Sequence, residues 1–275
     1  MKKLKYEVPT VESNDIKILT TQLLETTKKL MEANKQLQKA EVERSEMLAN
    51  ISHDLRAPIT AIRSSIDYLT AGHTVNQEDL SASLHLIDRR TKNLENLIND
   101  IYLLFCVEDQ SKSFDYSEVS ASLFIEEYYY DAITGSIYND RNMHLDISDN
   151  LNCMIHIDIQ KFIRVLDNLL INASKYSTKD AHITLKTNQN DTNDHLLISV
   201  LDTGIGIPEE VIDKIFERTY TVSSARSPES PTGSGLGLSI AKAIVERHNG
   251  TIHCKSKEGI GSEFTITIPI SLPLN

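Results

Sequence analysis

From Ile16 onward, apolar residues return every seven positions: Ile16, Leu23, Leu30, Leu37 and Ile51 share one heptad place, interrupted only by Arg44. A second place carries Leu19, Ala33, Ala40 and Met47. Sustained over five heptads with Lys and Glu between, this spacing predicts a coiled coil, and so self-association. The alternative is a long amphipathic helix packed within its own chain. The helical pattern runs on through Ile59, Ile62, Ile66 and Leu69, reaches Ala71-Gly72-His73-Thr74, and resumes as Leu80, Leu84, Ile87, Leu94, Ile98, Ile101 and Phe105. Gly72 suits a C-terminal cap, and Asn76 or Gln77 a restart. A helical hairpin follows, and because it buries only one stripe, two copies would close a four-helix bundle.

Asp109-Gln110-Ser111-Lys112-Ser113 breaks the period and reads as an interdomain linker. Beyond it a helix is expected around Ser120 to Tyr138. Short alternating runs follow at His144 to Ile147 and Met154 to Ile157, then a helix from Ile159 to Tyr176. Strands are expected at His182 to Thr187 and Leu196 to Leu201, a helix after Gly237, and a closing hairpin from Thr251 to Lys255 and Glu263 to Ile268. The terminal hairpin favours a mixed sheet with helices on one face over a doubly wound sheet. No internal repeat of solenoid length is visible. The least regular stretch, Thr219 to Thr232, is rich in Ser and Pro, as functional or disordered loops are.

The chain has 275 residues, with 28 basic and 39 acidic side chains and a net charge of −11. Its length favours two domains. Its negative balance argues against nucleic acid as a partner, which would need clustered Lys and Arg. Cys106, Cys153 and Cys254 are scattered, giving neither a disulfide framework nor a zinc site. The basic start at Met1 to Lys5 is followed by Tyr6-Glu7-Val8-Pro9 where an apolar run should be. No stretch is apolar enough to span a bilayer, so a cytoplasmic chain without a membrane span is expected.

His53 lies two residues after Ile51, which turns it away from the coiled-coil seam and leaves it exposed on a helix. The eight other His residues read as ordinary surface positions. Ser52-His53-Asp54-Leu55-Arg56-Ala57-Pro58 sets a carboxylate beside this imidazole and a proline one turn later, where the missing N–H weakens or kinks the helix. An imidazole is a competent nucleophile near neutral pH, and Asp54 can hold its other nitrogen protonated. Neighbouring helical residues do not, however, face each other squarely.

On the Ile159–Tyr176 helix, Ile163, Leu166, Leu169, Leu170 and Ala173 form the expected buried stripe, with Asn168, Asn172 and Lys175 on the other side. Two Asn at this spacing disfavour a helix unless their amides are used. An Asn oxygen suits Mg²⁺, which keeps waters and phosphate oxygens, and Lys175 adds positive charge; a solvated polar face is the plain alternative. Asp202-Thr203-Gly204-Ile205-Gly206-Ile207-Pro208 follows an apolar strand and precedes a helix starting at Pro208 and holding Val211, Ile212, Ile215 and Phe216. Asp202 could accept a hydrogen bond from the adenine amine and repel the guanine carbonyl, or the stretch is a simple turn. Gly233-Ser234-Gly235-Leu236-Gly237-Leu238 opens another helix. Its backbone N–H groups could converge on phosphate, though it matches neither the P-loop nor the dinucleotide fingerprint; otherwise it is a hinge.

In this order and spacing, these segments resemble the boxes of sensor histidine kinases of two-component signalling, from Ala49 to Ile268. Ser52 to Pro58 resembles the phosphoacceptor box, Asp167 to Tyr176 the asparagine box, Asp202 to Gly206 and Gly233 to Leu238 the glycine boxes, and Ile215 to Arg218 the phenylalanine box. The resemblance implies an N-terminal coiled coil (1–48), a dimerising phosphotransfer hairpin (49–108), a linker (109–116) and an ATP-binding α/β sandwich of the gyrase, Hsp90 and MutL type (117–275). It implies a homodimer that autophosphorylates on His53, with Asp54 as base or orienter, and passes the phosphoryl group to an Asp of a response regulator. The resemblance casts Asn172 as the Mg²⁺ ligand and Asp202 as the adenine reader. Asn168, Lys175, Tyr176, Gly204, Gly206, Gly233, Gly235, Leu236 and Gly237 are cast as the remaining ATP contacts, under a lid from Phe216 to Gly233. Two positions depart from the family pattern. Ala57 stands where Thr or Asn helps aim water at the phosphorylated regulator, implying weak phosphatase activity. Thr219 and Thr221 replace an aromatic and an Arg, leaving Arg218 or Arg226 to supply a lid cation. A dimeric ATP-binding scaffold that transfers nothing is the rival reading.

Overall fold

The heptad run forms one helix, α1 (Ser13–Thr70), in a computed structural model that describes residues 13–71, 76–109, 111–218, 220 and 235–271. Two units divide the chain, residues 1–52 and residues 53–275. In the first, the heptad residues Ile16, Leu23, Leu30 and Leu37 are all more than half exposed. A stripe of that length on a lone helix leaves its apolar surface in water.

The second unit begins with the remainder of α1, which continues through Pro58 without interruption. Helix α2 (Gln77–Glu108) then starts where Asn76 Oδ1 accepts a 2.7 Å hydrogen bond from the Asp79 N–H, satisfying one of the orphan amides of the first turn. Gly72 lies outside the described residues. After the linker come β1 (Ser117–Ser120), α3 (Ala121–Ile133), β2 (Asn142–Ile147), β3 (Met154–Ile157) and α4 (Ile159–Lys175). The order continues with β4 (His182–Gln189), β5 (His195–Asp202), α5 (Gly237–Arg247), β6 (Thr251–Lys257) and β7 (Gly261–Pro269). Strands β1 and β3 pair antiparallel, and the main sheet has the order β2-β4-β5-β7-β6. Among the described residues, β2 and β4 run parallel and the other neighbours antiparallel, so the sheet is mixed as the terminal hairpin implied.

Alternation along the strands decides which face is covered. Ile183 and Leu185 on β4, Ile198 and Val200 on β5, and Phe264 and Ile266 on β7 are buried. They lie beneath Phe162, Leu166 and Leu169 of α4 and Ile240, Ile244 and Val245 of α5. The other face carries His144, His182, Lys186 and Lys255 in the open.

Three local expectations change. Ile163 is only half buried, and Phe162 and Val165 take its place in the core, because the stripe of α4 turns toward both the sheet and α3. The expected helix after Pro208 is a short 3-10 turn, Glu209–Lys214. Its few apolar residues cannot carry helix nucleation, and it serves to deliver Ile215 to the core and Phe216 to an edge contact with Phe264. His248, expected at the surface, is 3% exposed. Its ring packs against Phe114, Tyr116 and Phe162, and both nitrogens are used: Nδ1 donates to the Ile244 carbonyl, and Nε2 accepts from the Asp158 N–H at 2.9 Å.

The C-terminal end of α5 is fastened to the linker. Arg247 donates to the carbonyls of Val107, Asp109 and Lys112 at 3.0, 3.2 and 2.7 Å and lies 4.4 Å from the Phe114 ring. The Tyr116 hydroxyl returns a 2.6 Å bond to the Arg247 carbonyl. Asp100 of α2 also forms an ion pair with Arg164 of α4.

Candidate active site

His53 projects from α1 with 80% of its side chain in solvent. Its Nδ1 lies 3.2 Å from Asp54 Oδ1. A carboxylate can only accept, so Nδ1 is the donor in this contact, and in the neutral ring the lone pair is then on the open Nε2. Adjacent helical side chains do meet here, because the short Asp54 side chain reaches sideways to the ring.

On α4, Asn168 is 8% exposed rather than solvated. Its Nδ2 donates to the Gly237 carbonyl at 3.0 Å, tying the helix to the first residue of α5. A Cβ on Gly237 would lie 3.2 Å from Asn168 Oδ1, which presses the two segments together. Asn172, one turn further, is half buried. Lys175 Nζ lies 3.1 Å from the Tyr176 hydroxyl and 4.8 Å above that ring.

The Tyr176 carbonyl, at the end of α4, accepts the Ile205 N–H at 3.0 Å. That bond seats the loop after β5 against the helix, and Asp202 Oδ1 folds back to accept the Gly204 N–H at 2.8 Å. Burial pushes the Asp202 carboxyl up, while hydrogen bonds from Gly204 and Ser262 pull it down. Gly204 has no room for a side chain, since a Cβ would fall 2.4 Å from the Tyr176 carbonyl oxygen. Gly206 adopts φ +68 with the Lys257 carbonyl oxygen 2.1 Å from a built Cβ, so both backbone and space require glycine. Ile207 N–H donates to Ser256 Oγ at 2.8 Å and Gly259 N–H to the Ile205 carbonyl at 2.8 Å, pinning the loop to the β6–β7 hairpin.

Gly235, at φ +67, and buried Leu236 precede α5. Gly233, Thr219, Thr221 and Arg226 lie outside the described residues. The structure thus brings Asn168, Asn172, Lys175, Tyr176, Asp202, Gly204, Gly206, Gly235, Leu236 and Gly237 to the C-terminal half of α4 and the two glycine segments tied to it. Ser256 and Ser262 were missed; a serine on a strand carries no signal that it will hold a loop from another strand. Among the described residues no three His, Cys, Asp or Glu side chains cluster as a metal site. The amide oxygen available at Asn172 fits Mg²⁺, a hard ion that draws most of its ligands from phosphate and water.

Residues 43–110 match the family model of the His Kinase A (phospho-acceptor) domain, and residues 157–272 that of the histidine kinase-, DNA gyrase B- and HSP90-like ATPase. The first contains His53 with its carboxylate, and the second contains both asparagines and every glycine of the site. The chain belongs to the sensor histidine kinases. Within that family it is 34% identical over 235 residues to the sensor histidine kinase WalK of Bacillus subtilis (strain 168), covering 84% of this chain and 38% of the relative. The sensor protein kinase WalK of Staphylococcus saprophyticus is 35% identical over 238 residues, covering 84% and 37%. The chain therefore spans well under half the length of these two relatives. Histidine kinase ThkA, solved in complex with response regulator protein TrrA, superposes with a TM-score of 0.64 at 25% identity, covering 82% of this chain and 61% of that one. Acinetobacter baumannii histidine kinase AdeS shares the fold, with a TM-score of 0.61 at 22% identity over 80% of this chain and 98% of that one. Among the described residues, no helix is long and apolar enough to cross a membrane.

Proposed function

We propose that the chain is the catalytic core of an ATP-dependent protein histidine kinase. It phosphorylates itself on His53 and passes the group to an Asp of a response regulator. The observation that carries this reading is the His53–Asp54 contact: an exposed imidazole with Nδ1 held and Nε2 free.

ATP would sit between α4 and the two glycine segments. Asp202 would accept a hydrogen bond from the adenine amine, and Lys175 would neutralise phosphate charge near Tyr176. Asn168 would hold the start of α5 in place, while Gly204, Gly206, Gly233, Gly235, Leu236 and Gly237 would offer backbone against the nucleotide. Mg²⁺, when bound, supplies charge neutralisation at the phosphates, with Asn172 as its protein ligand. The lone pair of His53 Nε2 attacks the γ-phosphorus, the bond to the ADP oxygen breaks, and Asp54 stabilises the positive charge that develops on the ring through Nδ1–H. A receiver carboxylate then attacks the same phosphorus and releases neutral imidazole. Positioning, rather than covalent assistance, supplies most of the rate.

The solved complex of ThkA with a response regulator supports a receiver as partner. The exposed heptad stripe supports a homodimer, built through the coiled coil and hairpin, and we place the reaction in the cytoplasm. A net charge of −11 speaks against nucleic acid. Incubation with γ-labelled ATP tests the proposal: acid-labile, alkali-stable label on the wild type and none on His53→Gln is expected. Bound ATP without label would instead establish the scaffold reading, which rests on Thr219 and Thr221.

A further inference from the structure

On the open face of the sheet, away from the helices, two imidazoles face each other. His144 of β2 and His182 of β4 lie with Nε2 and Nδ1 3.2 Å apart, ring centroids 5.4 Å apart and planes at 17°. Both side chains are exposed. The parallel register sets Asn142 beside His182 and His144 beside Thr184, so the two rings approach diagonally across one strand gap. Their positions are held by more than their own contact. The His182 N–H donates to Thr203 Oγ1 at 3.0 Å, the Thr203 N–H returns to the His182 carbonyl at 3.2 Å, and Asn142 Nδ2 bonds the Asp180 carbonyl at 2.8 Å.

We propose that His144 and His182 form a binding site for a divalent transition-metal ion, with Cu²⁺ the tightest ligand and Zn²⁺ and Ni²⁺ weaker. The geometry points there directly. Metal–imidazole bonds of about 2.0–2.1 Å separate two ligating nitrogens by about 2.8–3.4 Å, from the near-90° angle of tetragonal Cu²⁺ to the tetrahedral angle of Zn²⁺. The 3.2 Å spacing falls inside that range. In the metal-free form one ring donates a proton to the other. On binding, the facing nitrogens both ligate, and each imidazole carries its proton on the remote nitrogen. Imidazole is a borderline ligand that favours these ions by the Irving–Williams order and has little affinity for Mg²⁺. The site therefore differs in chemistry from the oxygen set at Asn172. No third His, Cys, Asp or Glu completes a cluster among the described residues. The other positions would be filled by water, which reaches both exposed rings.

The test is a calorimetric titration of untagged full-length chain with Cu²⁺ near neutral pH, under excess Mg²⁺, together with the electron paramagnetic resonance spectrum of the one-equivalent complex. The wild type should bind one ion in its tightest site, with a spectrum showing two imidazole nitrogens. His144→Ala and His182→Ala should each lose that site while keeping their circular dichroism spectrum and ADP binding. Unchanged titrations in either variant, no tight site in the wild type, or a spectrum with fewer than two nitrogens would overturn the proposal. If a variant fails to fold, the wild-type spectrum and the milder His144→Gln decide.

Discussion

His53 and Asp54 are neighbours in the sequence, and their side chains interact even though helical geometry separates such pairs. The Nδ1 contact at 3.2 Å orients the ring and, in its neutral form, favours the tautomer whose lone pair is on Nε2. Asp54→Asn should therefore lower autophosphorylation about 10²-fold, read as labelled protein per minute with ATP binding unchanged. Gly206→Ala forces a methyl group into the Lys257 carbonyl at positive φ. We expect about 1–3 kcal/mol of lost stability, seen as a lower melting temperature, and weaker ADP binding by calorimetry. Ala57 has only a methyl group where the family places a water-orienting side chain. Ala57→Thr should thus speed dephosphorylation of a phosphorylated receiver in a coupled assay. At this scale, the tight turn after Asp202 was readable from its glycines. The burial of Asn168 was not, because its partner, the Gly237 carbonyl, lies far along the chain.

Among the elements, α5 and its C-terminal cap illustrate a pH dependence that surface reading misses. His248 is held neutral, with Asp158, Lys161 and His156 the titratable groups around it, and burial keeps its pKa below the usual imidazole value of 6.5. As pH falls, the unfolded chain gains this proton before the folded one does. The stability is therefore complete above about pH 6.5 and declines from there toward the lower folded pKa. The wild-type melting temperature should drop between neutral pH and mildly acidic pH, and His248→Gln, which cannot titrate, should show a flatter profile in the same scans. The helix and strand spans were largely readable from their periodicity. The segment after Pro208 was not, since four apolar residues within a turn and a half look alike in an α-helix and a 3-10 turn.

For the whole molecule, the mixed sheet followed from a terminal hairpin and alternating strands, yet the order β2-β4-β5-β7-β6 did not. Pairing β2 parallel with β4 crosses over α4, and no residue-level pattern announces such a partner. The heptad stripe of Ile16, Leu23, Leu30 and Leu37 stays exposed on a single chain. Leu23→Asp with Leu30→Asp should lower the dimer fraction in light scattering and the autophosphorylation rate together. Unchanged values for both would remove self-association through this stripe.

Helix α5 begins at Gly237, clasped by Asn168, and ends at Arg247, whose guanidinium grips three carbonyls of the segment leaving α2. Its eleven residues make a rod about 16 Å long. If the proposed nucleotide site is correct, a shift of the glycine end of α5 would reach the segment leaving α2 through these same contacts.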